Sequence, residues 1–343
     1  MSKGPVEIVE LPVEDEWPHE PGPGPLWQES VVLTWQDISQ SIGGFFRIGH
    51  HPNRGVGICT FGIVSEEGPC FNRSRPHIPI TETDRFQDGF SIDGFLTARF
   101  AASSSRWTAR DDDCELDLEV VNVHPQYDTW ALAGLTGPFR EKFASQHTEV
   151  AGKVAGSVRM GSRTWMIDGF AYRDHSWGVR NHDDPATQLA NFVWLVGSFG
   201  PDLVIAACET ATRSGGRFNT GFVIRDGVIE RPVIRDICYV VEFDGLSMRG
   251  ARCRIETPSL GSFDLDIEGF GNVLMGMQCE PGREDEYLEV GMPGRMRWND
   301  RVGGVHVSTM LNARSANQAP ALLFGASSQA GLYDRPRWSP SGG

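Results

Sequence analysis

The segment Glu115-Leu116-Asp117-Leu118-Glu119-Val120 alternates polar and apolar side chains, as a strand does when one face meets a core and the other meets water. Short runs of strand character recur along the chain, at 30–37, 44–49, 55–64, 94–101 and 114–123. The rhythm resumes at 187–199, 203–212, 217–225, 228–243, 247–255, 263–270 and 305–313. Turn residues close these runs, and 40 glycines and 21 prolines supply many such breaks. Arg225-Asp226-Gly227-Val228 and Glu242-Phe243-Asp244-Gly245 are hairpin signals, because Asp-Gly readily takes the positive φ angles of a type I′ turn. Only 138–145, extended to about His147, has helical character. The pattern predicts an all-β protein of antiparallel sandwich or barrel architecture.

A chain of 343 residues suits two domains better than one core. Its start is rich in proline, with Pro-Gly-Pro-Gly-Pro at 21–25, which predicts an extended arm over 1–28 lying across the body. Asn181-His182-Asp183-Asp184-Pro185 breaks the strand pattern and marks the boundary between domains at 29–180 and 181–335. Seams between domains are frequent binding sites.

The net charge is −14, which excludes nucleic acid or an anionic membrane surface as a partner unless a basic patch intervenes, and the sequence shows none. Mean hydropathy is −0.28, and the apolar runs are far shorter than the roughly 20 residues of a membrane-spanning helix. Residues 1–20 are acidic and place no apolar core after a basic start, so a cytoplasmic location is expected. The seven cysteines (59, 70, 114, 208, 238, 253 and 279) are odd in number and contain no Cys-x-x-Cys pair, which predicts free thiols.

Chemistry concentrates in Gly169-Phe170-Ala171-Tyr172-Arg173-Asp174-His175-Ser176-Trp177-Gly178-Val179-Arg180. Asp174 and His175 supply the two side-chain types most used for proton transfer. On a regular strand His175 and Trp177 share one face, and Tyr172, Asp174 and Ser176 share the other. Two roles are open to His175: a proton carrier beside the aromatic wall of Trp177, or a ring that hydrogen-bonds the domain junction. Asp174 either orients the histidine or acts as the acid. Trp177 and Trp194 either line a pocket or pack a core, and Tyr172 favours packing. Arg173 and Arg180 are suited to a substrate carboxylate, or to pairing with Asp183, Asp184 or Glu209. A metal set drawn from His175, His182, Asp183, Asp184, His50 and His51 lacks a known ligand spacing. No Gly-x-Ser-x-Gly elbow or phosphate loop occurs.

The core Gly-x-x-Tyr-x-Asp-His-x-Trp-Gly at 169–178 resembles the signature of the lipocalin-like carotenoid hydratase, AttH and kievitone hydratase-like superfamily. Gly43-Gly44-Phe45-Phe46-Arg47-Ile48-Gly49-His50-His51-Pro52-Asn53 looks like an opening strand of its bacterial branch. The resemblance implies two lipocalin-like β domains in tandem. It also implies hydration, cyclisation or isomerisation of a hydrophobic substrate, with His175 and Trp177 matching a His-x-Trp pair regarded as functional in the hydratases.

Together these readings point to an enzyme working on a hydrophobic small molecule by proton transfer at a C=C bond. His175 and Asp174 are the candidate catalytic groups, and Trp177, Tyr172 and Trp194 the candidate substrate contacts. Neither a cofactor nor a metal is required. The alternatives are a non-catalytic carrier of a lipophilic metabolite and, further off, a metal-dependent enzyme.

Overall fold

A computed structural model describes residues 6, 8–68, 70–181, 184, 187–242, 247–276 and 287–312. Two large antiparallel sheets account for most of them. The first contains β1 (Trp27–Asp37), β2 (Ile42–His51), β3 (Val56–Ser65), β4 (Phe71–Pro79), β5 (Arg85–Phe86), β6 (Gly89–Ile92), β7 (Leu96–Phe100), β8 (Ser104–Arg110), β9 (Cys114–Asn122), β10 (Gln146–Met160) and β11 (Arg163–Val179). The second contains β12 (Leu189–Ser198), β13 (Leu203–Thr212), β14 (Arg217–Arg225), β15 (Val228–Glu230), β16 (Val233–Val241), β17 (Met248–Thr257), β18 (Gly261–Gly269), β19 (Val273–Gly276), β20 (Tyr287–Trp298) and β21 (Arg301–Asn312).

Both sheets follow one plan. Neighbours in sequence pair as hairpins, the first strand pairs with the last, and the edges fall between consecutive strands. In the first sheet β1 pairs with β11 and the edges are β4 and β5. In the second β12 pairs with β21 and the edges are β15 and β16, with β19 pairing β20 to the side. Each is therefore a curled sheet with one slit, wrapped round its own apolar interior. The first interior holds Leu33, Trp35, Phe46, Phe61, Trp107 and Leu118, and the second holds Leu195, Ile205, Ala251, Leu265, Met292 and Val307.

Local sequence explains most of this. In β9 the alternation of Cys114, Leu116, Leu118 and Val120 inward is the one read from the residues. Asp226 and Gly227 sit at φ 49° and 78°, as their hairpin requires; the second hairpin signal, at 242–245, lies mostly outside the described residues. The run 228–243 divides into β15 and β16 at Arg231-Pro232, where proline removes a ladder donor. The helical segment is shorter than its pattern suggests: α1 (Thr129–Ala133) and α2 (Pro138–Phe143) lie between β9 and β10, and His147 falls on the strand. Asp128 caps α1 by accepting from Ala131 N–H, and Gly134 at φ 68° ends it.

The arm lies across the first sheet. Leu11 N–H donates to Gln126 O, a 3-10 turn occupies Val13–Glu16, and Asn53 donates to the carbonyls of Gly22 and Gly24. Among the described residues no helix is long and apolar enough to cross a membrane. The six described cysteines are free, and Cys279 lies outside the described residues.

The two sheets meet through the outer faces of β1 to β4 and β11. Val32, Phe45 and Val64 pack against Val273 and Met275, and Asn72 donates to Leu274 O at 2.9 Å. Glycine permits the close approach: a Cβ at Gly304 would lie 2.7 Å from Phe170 Cβ, and one at Gly43 would lie 2.6 Å from Pro293 Cβ. Overpacking a tight seam costs about 1–3 kcal/mol. Gly304→Ala is accordingly expected to lower Tm by several degrees in a thermal melt, and an unchanged Tm would contradict this packing.

Candidate active site between the two sheets

β11 runs between β1 and β10 without a register shift across 170–179, so its side chains alternate strictly. Arg173, His175 and Trp177 turn into the first sheet's interior, while Tyr172, Asp174 and Ser176 turn towards the second sheet. Cooperation between Asp174 and His175 needed a bulge at this point, and the strand has none.

His175 is 1% exposed. Its Nε2 lies 3.1 Å from Glu29 Oε1, and its Nδ1 lies 3.4 Å from Glu16 Oε2 on the arm. Arg173 pairs with Glu16, and Arg85 reaches the other Glu29 oxygen at 2.9 Å. His19, also on the arm, stacks on Trp177 with centroids 3.9 Å apart and places Nδ1 2.7 Å from Glu29. Burial disfavours the His175 cation, but hydrogen bonding and charge attraction from the two glutamates outweigh it and lift its pKa to about 9. Burial equally opposes the Glu29 carboxylate, yet His175 and His19 bring its pKa down to about 2. An imidazolium clamped between two carboxylates thus closes the barrel interior. Neither His175 nor Trp177 lines the cavity described next.

The outer face is different. Between the sheets, roofed by α1 and α2, lies a cavity. Val32, Phe45, Trp130, Phe143, Phe192 and Trp194 form its apolar walls. Asp174 reaches it from β11, His147 and Glu149 from β10, Arg180 from the end of β11, Arg47 from β2 and Glu289 from β20. Pairing places Glu149 opposite Asp174 and His147 opposite Ser176, on one side of the sheet.

His147 Nε2 lies 2.5 Å from Asp174 Oδ2 and 3.6 Å from Glu149 Oε1. Tyr172, only 2% exposed, donates its hydroxyl to Glu149 at 2.9 Å, and Trp194 Nε1–H donates to the same carboxylate at 3.2 Å. Tyr172 therefore supports the site from behind, while Trp194 forms part of its wall. Burial works against the His147 cation, but Asp174 and Glu149 more than offset this and raise its pKa. Burial also raises Glu149. Glu289 is pushed up to about 7 by burial, against the opposing pull of Ser308 and Arg47. Nearby His306 falls to about 3 through burial and stays neutral, 2.9 Å from Ser308 Oγ.

Among the described residues, the members of the metal set considered from sequence do not come together. His50 bonds the carbonyl of Ser91, Asp184 pairs with Lys142, and His182 and Asp183 lie outside the described residues. Two other sets bring donor atoms within 4.8 Å of one another: His19, Glu29 and His175 inside the barrel, and His147, Glu149 and Asp174 in the cavity. In the first, Arg85 and Arg173 already balance the carboxylates; in the second, the short His147–Asp174 contact suits a shared proton.

His147, Glu149 and Glu289 escaped the sequence reading. The available signal for the first two was Gln146-His147-Thr148-Glu149, a His-x-Glu alternation that a strand turns to one face. Glu289 has no local signature.

Two slit, curled antiparallel sheets in tandem, with polar chemistry in the cleft between them, define a lipocalin-like two-domain β protein. A family model described as "Domain of unknown function (DUF7064)" matches residues 12–313, and the chain belongs to that family. No curated protein matches it by sequence. Among solved structures, a putative AttH from Nitrosomonas europaea superposes with a TM-score of 0.63 at 10% identity, covering 90% of this chain and 98% of that one. CghA with Sch210972 gives 0.58 at 11% identity, covering 88% and 94%. Kievitone hydratase from Nectria haematococca gives 0.55 at 10% identity, covering 90% and 94%. At such identities the likeness establishes the shared fold.

Proposed function

We propose that this chain is an enzyme that transfers protons at a carbon–carbon double bond of a hydrophobic small molecule, by hydration, dehydration, isomerisation or cyclisation. One observation carries the reading: the His147–Asp174 pair, at 2.5 Å, faces a largely apolar, aromatic-walled cavity between the sheets. A structural relative named as kievitone hydratase, and another crystallised with Sch210972, support the class.

Glu289, with a pKa near 7, is populated in both forms at neutral pH, as a general acid should be. In the hydration direction its carboxyl proton goes to one alkene carbon. Water attacks the other carbon and gives a proton to the His147–Asp174 pair, so one water is added and no electrons are exchanged. Trp130 and Trp194 line the cavity, and an indole face there would stabilise a developing cation. His175, turned into the barrel, fits the role of holding the arm rather than meeting substrate.

The direct test begins with gentle purification and mass spectrometry of the retained lipophile, followed by incubation of that compound with the protein in D₂O. The expected result is deuterium incorporation, or a mass change of one water. A lipophile returned unchanged and unlabelled would instead make the chain a carrier.

A further inference from the structure

Arg180 lines the cavity without a carboxylate in contact with it among the described residues. Elsewhere near the site, buried or half-buried arginines are given carboxylates: Arg173 has Glu16, Arg85 has Glu29, and Arg140 has Asp128 at 2.8 Å. Arg180 follows β11 directly and lines the cavity. Its Nε donates to Phe143 O at 2.9 Å and its terminal nitrogen to Ser176 Oγ at 3.1 Å, both neutral acceptors. The guanidinium also lies 4.5 Å from the centroid of the Phe143 ring. Among the described residues no carboxylate lies within ion-pair distance of it.

Asp174 attracts Arg180 through space but makes no ion pair with it, and the contacts of the neighbouring acids go to other groups. Asp174 is bonded to His147, Glu149 receives Tyr172 and Trp194, and Asp184 holds Lys142. Arg47 lines the same cavity and pushes against Arg180 electrostatically. A half-buried cation with no carboxylate in contact leaves favourable interaction unused, and a guanidinium fork matches a planar carboxylate edge to edge.

We infer that the ligand of this cavity carries a carboxylate, or an equivalent planar anion, seated on Arg180 with Arg47 adding its charge, while the apolar remainder fills the aromatic part of the cavity. This rests on the reading of the cavity as a hydrophobic small-molecule site and adds the substrate's chemical class. The unused N–H donors of Arg180 would take the anion, and Ser176 and Phe143 hold the guanidinium in place for it.

The test compares naphthylacetic acid with its methyl ester by isothermal titration calorimetry; lauric acid and methyl laurate repeat the comparison on a flexible tail. The wild type is expected to bind each acid at least tenfold more tightly than its ester. Arg180→Gln should bring the acid down to the affinity of the ester without changing ester binding, and Arg180→Lys should keep part of the preference. Thermal melts of both variants establish that they fold. Equal binding of acid and ester by the wild type, or a preference surviving Arg180→Gln, overturns the inference while leaving the apolar site intact. Failure to bind either member of either pair overturns the apolar-site reading as well.

Discussion

Asp174→Asn should lower turnover of the cavity's substrate by about 10²- to 10⁴-fold, the scale of losing a positioned acid or base, while the lipophile is still retained. The amide keeps the shape of the carboxyl and removes its charge. His147 then loses its partner at 2.5 Å, and with it the larger of the two attractions that raise its pKa. His147→Gln is expected to give a loss of similar size. Because the two residues act as a unit, the double variant should be little worse than either single one. Steady-state kinetics on the retained compound, with retention itself measured by mass spectrometry, separate this outcome from simple loss of binding. Near-normal turnover in Asp174→Asn would remove the pair from the mechanism.

The second large effect is on stability. His175→Ala leaves Glu16 and Glu29, 1% and 0% exposed, short of the cation between them. Removing one partner of a buried ion pair typically costs 3–5 kcal/mol, which for a chain of this size corresponds to a fall in Tm of about 10 °C. The pH dependence carries a signature. His175 has a folded pKa near 9 against an ordinary 6.5, so its contribution is complete below pH 6.5 and is lost as pH rises through 9. That difference corresponds to about 3 kcal/mol. Glu29, lowered to about 2 from 4.5, contributes above pH 4.5 and loses its contribution as pH falls through 2. The wild type should therefore lose stability between pH 6.5 and 9, and His175→Ala should lose much of that slope. A variant with normal Tm, the wild-type slope and no turnover would return His175 to the chemistry.

What was legible in the residues follows from what is local. Period-two alternation shows in β9 and β17 because one face of each strand meets a core and the other does not. The same rule correctly separated Asp174 from His175 on β11. It could not say which face meets ligand, because β1 and much of β11 are covered on both sides. One cover is the barrel interior and the other is the second sheet, and that choice is made by residues on other elements, among them Glu16, Phe45 and Glu289, more than a hundred positions from β11. His175 beside Trp177 reads as an aromatic active site until Glu16 and His19 of the arm are placed against them. His147 reads as the tail of a helix because Pro138–Phe143 precedes it, although its partner Glu149 two residues on has the spacing of a strand. Glu289 acquires its raised pKa mainly through burial, with the Asp174 charge of β11 adding to it, once β2, β11 and β21 are assembled around it.

The pairing of β1 with β11, and of the arm with both, sets an order of events during synthesis. Glu16 and Arg173 are 157 positions apart, and Glu29 and His175 are 146 apart. On the ribosome the acidic groups emerge first and remain hydrated until β11 arrives to close the sheet. The hairpins from β2 to β10 can zip as local pairs, whereas the closing seam carries a high loop-closure cost and comes late. One wall of the ligand cavity is the outer face of that same seam, so the cavity cannot exist in a nascent chain that has released only its first half.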